Sequence, residues 1–213
     1  MKLVVYGGTG RLGKQIVAEA LERGHAVTVV ARDPSRLELS HAGLTSIAGD
    51  VTDAASVAAT AAGHDLAINA IGGAAKQPGV HTRAAHALLE GLPRAGVKRL
   101  AVVGGAGSLE TAPGVRHVDN PDFVEAYKPE ALGQAEALDV YRAADAGELE
   151  WTYLSPAATI MPGERTGIFR LDGDQLLRDA DGRSEISIED YAVALLDEVE
   201  APKHTGARFT IAY

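Results

Sequence analysis

The chain has 213 residues, 46% of them hydrophobic and 23% charged, with 24 glycines, no cysteine, 29 acidic against 20 basic side chains and a formal charge of -9. Lacking cysteine, it has no disulfide framework, no thiolate zinc or iron–sulfur site and no thiol nucleophile, and its acidic excess argues against general nucleic-acid binding. No run approaches the ~18 apolar residues of a membrane span, and the opening apolar run is too short for a signal peptide, so a soluble, cytoplasmic protein without a membrane partner is expected.

Short Val/Ile-rich runs alternate with helical patterns along the chain. Residues 2–6 read as a strand. An amphipathic stretch follows, with Leu12, Ile16, Val17, Ala20 and Leu21 on one face and Gly24 as its stop. Residues 26–31 and 44–48 are strands, and Asp53 caps a helix reaching Ala61. Residues 66–71 form a strand, and 80–92 a helix that Pro93 ends or kinks. Strand 99–103, a helix from Pro129, strand 151–154, a helix from Ile188 or Glu189 to Glu198 and strand 208–212 complete the order. Strands joined by single helices imply right-handed crossovers, hence a doubly wound, mostly parallel α/β sheet with helices on both faces. Ligands are expected beyond the carboxyl ends of its strands. Segments 104–128 and 156–187 lack periodicity and follow strands, so both read as substrate-binding loops. The second is an elaboration of one domain spanning 1–213.

Between the first strand and first helix runs Gly7-Gly8-Thr9-Gly10-Arg11-Leu12-Gly13. At this spacing Gly7 allows a tight turn, Gly10 lets a pyrophosphate approach the backbone, and Gly13 lets helix pack on strand. First-turn amides then face the phosphates. The segment predicts a dinucleotide site, with Gly7, Thr9, Gly10, Arg11 and Leu12 in contact. Arg32 ends the second strand, and Arg36 follows closely. With Arg11 they offer planar, permanently charged forks for a 2′-phosphate, so NADP(H) is preferred. NAD(H) stays open, because Asp33 lies two residues past the strand; alternatively, Asp33 caps residues 34–39 and the arginines are solvated.

The glycine loop, A-R-D-P-S-R-L at 31–37, G-D-V-T-D at 49–53 and N-A-I-G-G at 69–73 together resemble the atypical short-chain dehydrogenase/reductase superfamily. V-V-G-G-A-G-S-L at 102–109, W-T-Y-L-S-P-A at 151–157, P-G-E-R-T-G at 162–167 and I-S-I-E-D-Y-A at 186–192 resemble, more narrowly, the NmrA-like and NADH-flavin reductase group. The resemblance covers essentially the whole chain and implies a Rossmann-like NAD(P)-binding domain with a small C-terminal substrate region. It further implies Asp50 and Val51 beside the adenine, Asn69, Ala70, Ile71 and Gly72 along ribose and pyrophosphate, and Ser155 and Pro156 near the nicotinamide.

The superfamily's Tyr-x-x-x-Lys pair, which supplies a proton to alcohol or carbonyl chemistry, is absent. Four residues beyond Tyr6, Tyr127, Tyr141, Tyr153 and Tyr191 stand Gly10, Ala131, Asp145, Ala157 and Leu195, and Tyr213 ends the chain. Hydride transfer to a flavin or quinone spreads charge over a conjugated ring, so positioning and a few hydrogen bonds suffice. Ser108, at the position of the superfamily's catalytic serine, and Tyr127 are the candidate catalytic residues, followed by Lys128 and His117. No metal site is expected: His81 and His86 read as surface residues, and the acidic stretch 189–200 as a helix with a solvated face. The resulting expectation is an NAD(P)H-dependent oxidoreductase acting on a flat acceptor, as monomer or homodimer. The alternative is a non-catalytic NAD(P)-sensing regulator. An epimerase or dehydratase would need the missing tyrosine.

Overall fold

Apolar runs without polar alternation can be buried on both faces, and five such strands form the middle of the sheet. In a computed structural model describing residues 1–213, the elements are β1 (Lys2–Tyr6), α1 (Arg11–Glu22), β2 (Ala26–Ala31), β3 (Leu44–Ala48), α2 (Ala54–Ala61), β4 (Leu66–Asn69) and α3 (Val80–Arg94). There follow β5 (Arg99–Val103), β6 (Glu110–Ala112), β7 (Val115–Arg116), α4 (Lys128–Ala143), β8 (Glu150–Ser155), β9 (Thr159–Met161), β10 (Arg170–Asp172), β11 (Glu185–Ser187), α5 (Ile188–Glu200) and β12 (Ala207–Ala212). The main sheet has eight strands in the order β10-β12-β8-β5-β4-β1-β2-β3. All neighbours in it are parallel except β10, which runs antiparallel along β12.

The winding reverses between β1 and β4. From β1 the chain steps outward through α1 to β2 and β3, then returns through α2 to β4 on the other side. Helices α1 and α5 cover one face, where Ile16, Val17, Ala20, Tyr191, Leu195 and Leu196 pack on Leu3, Val5 and Ile68. On the other face α2, α3 and α4 bring Val57, Leu88, Leu92, Leu138 and Tyr141 against Val4, Leu100 and Tyr153. The expected doubly wound α/β sheet is therefore present.

Several boundaries differ from expectation. Strand β4 stops at Asn69 because Asn69 Oδ1 accepts from the Ile71 amide (3.4 Å), a turn that lifts the chain off the sheet. Helix α3 runs through Pro93 to Arg94, the proline falling in its last turn. The two aperiodic segments contain paired structure: β6 with β7, β9 with β11, and β10 on the sheet edge. They are also joined to each other, since the Glu110 amide donates to Asp174 O (2.8 Å) and the Leu176 amide to Glu110 O (2.8 Å).

The acidic stretch of α5 is corrected most. Asp190 is fully buried and Glu198 is 4% exposed. The Asp190 carboxylate accepts from the Thr166 amide (2.8 Å) and hydroxyl (2.5 Å), the Gly167 amide (2.8 Å) and the Tyr213 hydroxyl (2.9 Å). Burial alone would raise its pKa, but these donors outweigh it and hold the group below the usual carboxylate range. Glu198 accepts from the amides of Lys203 (2.9 Å) and His204 (2.8 Å). Both acids pin loops that return over the helix.

Candidate functional site

A cleft of about 890 Å³ opens over the carboxyl ends of β1, β2, β3 and β4, where the winding reverses. Its walls include Gly7, Thr9, Gly10, Arg32, Arg36, Asp50, Val51, Ala70, Ile71 and Gly72. Ten of the residues singled out for cofactor contact thus meet in one cavity. Arg11 and Leu12 begin α1 beside it. Asn69 lies beneath, 4% exposed, with its side chain turned to the Ile71 amide and not toward the opening.

The glycines divide the work. Gly7 has φ +84°, and a Cβ there would lie 2.5 Å from Ala70 O. A Cβ at Gly13 would overlap the Gly7 carbonyl oxygen. These two let β1, β4 and α1 meet closely. Gly10 is exposed and its Cβ would meet only Gly7 O at 3.3 Å, so the surface above it is free for a ligand. Gly10 is also the N-cap of α1 and supplies no side-chain acceptor. The first-turn amides, including those of Arg11 and Leu12, therefore face the cleft mouth ready for an anion.

Charge around the cleft is distinctive in an acidic chain. Several arginines elsewhere are neutralised: Arg23 by Glu19, Asp197 and Glu200, Arg116 by Asp119, and Arg183 by Asp179 and Asp181. No carboxylate lies within ion-pair distance of Arg11, Arg32 or Arg36. Asp33 accepts instead from the Ser35 amide (3.2 Å) and hydroxyl (2.5 Å), capping the turn Pro34–Arg36. That is the capping role weighed for it above, and it leaves the guanidinium groups unpaired. Asp50 Oδ1 accepts from the Thr52 amide (2.9 Å) and hydroxyl (2.7 Å); these bonds, aided by the fields of Arg32 and Arg83, hold its pKa below the usual range. An uncapped helix start, a bare glycine surface and unpaired arginines at one end fit an anionic dinucleotide.

The remaining candidates lie outside this cleft. Ser108 Oγ accepts from Arg208 Nη1 (3.1 Å), and Arg208, 7% exposed, pairs with Asp174. Tyr127 is 67% exposed just before α4, while its neighbour Lys128 pairs with Glu125 (2.7 Å). Pro156 is buried at the end of β8. Beside it Ser155 is fully buried, and its hydroxyl has no protein partner. Burial pushes the Tyr6 hydroxyl up to about 12 despite its bond to Thr60, and raises Tyr141, Tyr153 and Tyr191 as well. Of these four only Tyr6 is among the residues that line the cleft.

The segment between β4 and α3, with the start of α3, supplies a wall that the sequence reading missed: Gln77, Pro78, Val80 and Arg83 line the cleft. It is held by Glu130 of α4, whose carboxylate accepts from the amides of Gly73 (3.0 Å) and Ala74 (2.7 Å) and from His81 Nε2 (2.7 Å). His81, read above as a surface residue without a carboxylate, is 3% exposed, because Gly133 of α4 leaves room for its ring. His86 is exposed. Burial raises the Glu130 pKa, but His81 and the two amides outweigh it and the net shift is downward. No three His, Asp or Glu side chains gather as a metal site.

The fold and cleft define a dinucleotide-binding α/β protein of Rossmann type. A family model described as NAD(P)H-binding matches residues 7–202, and the chain belongs to that family. It is 39% identical to the uncharacterised protein YwnB of Bacillus subtilis over 99% of this chain and 98% of the relative. A solved structure from Bacteroides thetaiotaomicron, provisionally called an epimerase, superposes with a TM-score of 0.92 at 37% identity, covering 100% of this chain and 96% of the other. One from Streptococcus pneumoniae, provisionally called an NADH-flavin reductase, superposes with a TM-score of 0.85 at 35% identity, covering 100% and 99%. No helix is long and apolar enough to cross a membrane.

Proposed function

We propose that the protein is an NAD(P)H-dependent oxidoreductase that prefers NADPH and reduces a flat, conjugated acceptor of the flavin or quinone class. The observation that carries the reading is the cleft itself, with the open α1 N-terminus at its mouth and unpaired Arg32 and Arg36 at the end of β2. The bound nicotinamide would supply hydride to the acceptor. The chain's own part is to bind and orient. Amides of α1 hold the pyrophosphate, Asp50 and Val51 border the adenine, and the arginines receive the 2′-phosphate. Ser155, whose hydroxyl is buried without a protein partner at the end of β8, would come into play at the nicotinamide end only if the ligand or the loop after β8 opened a path to it. Ser108, its oxygen already accepting from Arg208, keeps its own proton to donate toward an acceptor oxygen or nitrogen.

The acceptor class follows from what the tyrosines lack. Reduction of an isolated carbonyl needs an immediate acid, whereas a conjugated ring disperses the incoming charge. The provisional name of the streptococcal relative agrees with this reading, and the absence of a lysine four residues after any tyrosine speaks against epimerase chemistry. The test mixes protein and NADPH with flavins and quinones and follows loss of reduced-nicotinamide absorbance. Turnover supports the reading; tight NADPH binding without turnover of any acceptor replaces it with a dinucleotide sensor. Arg32→Ala should weaken NADPH about tenfold and leave NADH nearly unchanged.

A further inference from the structure

Arg83 lies on the second turn of α3, on the β4 side of the cleft, whereas Arg32 and Arg36 approach from the β2 side. It is exposed and forms no ion pair. Its Nη1 donates to Pro78 O (2.9 Å), which fixes one edge of the guanidinium and leaves the other nitrogens free. Gly79, with φ +72°, makes this placement feasible: a Cβ there would lie 3.1 Å from Arg83 Nη1 and press on it. Asp50, just after β3 and lining the same cleft, lies in the field of both Arg32 and Arg83. Its Oδ1 accepts from Thr52, and it stands within ion-pair distance of neither arginine.

Two walls of one cavity thus carry unpaired guanidinium groups, held in a chain with a net charge of -9. Like charges brought to two sides of one cleft favour an anion bound between them. A ribose hydroxyl supplies no such charge; a dianionic phosphate does.

We propose that Arg83 closes a two-walled clamp with Arg32 on the 2′-phosphate of NADPH, making the segment after β4 a determinant of cofactor choice. The proposal rests on the dinucleotide reading of the cleft. Four probes separate the two: NADPH, NADH, 2′,5′-ADP and 5′-AMP, titrated calorimetrically against the full chain. Arg83→Gln should weaken NADPH and 2′,5′-ADP on the order of tenfold while NADH and 5′-AMP stay within twofold, and Arg83→Lys should recover part of the loss. The slope of log affinity for NADPH against log salt should flatten in Arg83→Gln. Arg94→Gln, on the same helix but paired with Glu90, should change none of these. Equal losses for NADPH and NADH would overturn the clamp and assign Arg83 to the adenine or ribose. No loss at all would make Arg83 a solvated side chain. If the unaltered protein bound none of the four, the cleft reading would fail, and the clamp with it.

Discussion

Replacing Glu130 by alanine tests whether the wall after β4 is held from α4. Three donors would lose their acceptor: the amides of Gly73 and Ala74 and the His81 ring. Gly73 is exposed, so water replaces its bond at little cost. Ala74 and His81 are each 3% exposed, and a buried donor left unsatisfied costs about 1–3 kcal/mol. The carboxylate itself is 36% exposed, so water can enter part of the gap and the total is put at about 3 kcal/mol. Glu130→Gln, which keeps one acceptor oxygen and loses the charge, should cost about half as much. Urea unfolding reads both values as shifts in midpoint at unchanged slope.

The same substitution carries a pH signature. The folded pKa of Glu130 lies below its ordinary value, so its contribution is present above the unfolded pKa and is lost as pH falls through the folded one. The gap between wild type and Glu130→Ala should therefore be full at neutral pH and shrink below about pH 4. NADPH affinity should fall too, because Gln77 and Pro78 stand on the segment that Glu130 fixes. A stability change under about 0.5 kcal/mol, within the range of an ordinary surface substitution, would refute the reasoning.

Three further outcomes are expected. Gly13→Ala should destabilise by more than about 2 kcal/mol in thermal or urea melts, because its Cβ meets the Gly7 carbonyl; Gly10→Ala should cost under about 1 kcal/mol yet weaken NADPH in the same titration. Asp190→Ala should cost about 2–4 kcal/mol at pH 7, with the difference fading as acid protonates a carboxylate whose pKa is already depressed. Ser108→Ala should lower kcat for acceptor reduction by about tenfold or more with NADPH affinity unchanged; an unchanged kcat would leave Ser108 as a partner for Arg208 only.

What could be read from sequence was what repeats along the chain or sits next to its neighbours in it. The seven main strands and five helices follow from apolar periodicity, and the phosphate loop from glycines whose partners, Gly7 and Gly13, are six residues apart. The short strands β6, β7, β9, β10 and β11 have two or three residues each, too few for any period to register. They exist because a distant partner pairs with them. Arg83 and Gln77 were illegible for a similar reason, since only the bend between β4 and α3 carries them to the ends of β2 and β3. The charges of Asp190 and Glu198 suggested solvent, but the donors to Asp190 lie 23 or 24 residues before it and 23 after it, and those to Glu198 five or six after, relations no helical pattern encodes.

The residues lining the cleft run from Tyr6 to Arg83, all in the first half of the chain, and the turnover of winding between β1 and β4 is what gathers them. The two long loops, zipped together through Glu110 and Asp174, belong wholly to the second half. A lineage of such proteins can therefore rewrite one stretch of its gene and leave the other's geometry standing. One bond across that seam that bears on the cleft is made by the Glu130 carboxylate, which reaches from the second half to brace the first. A crossover within residues 95–98, after α3, parts the three donors from the bracing acid, and the wall stays held only where the incoming half carries a glutamate at that place.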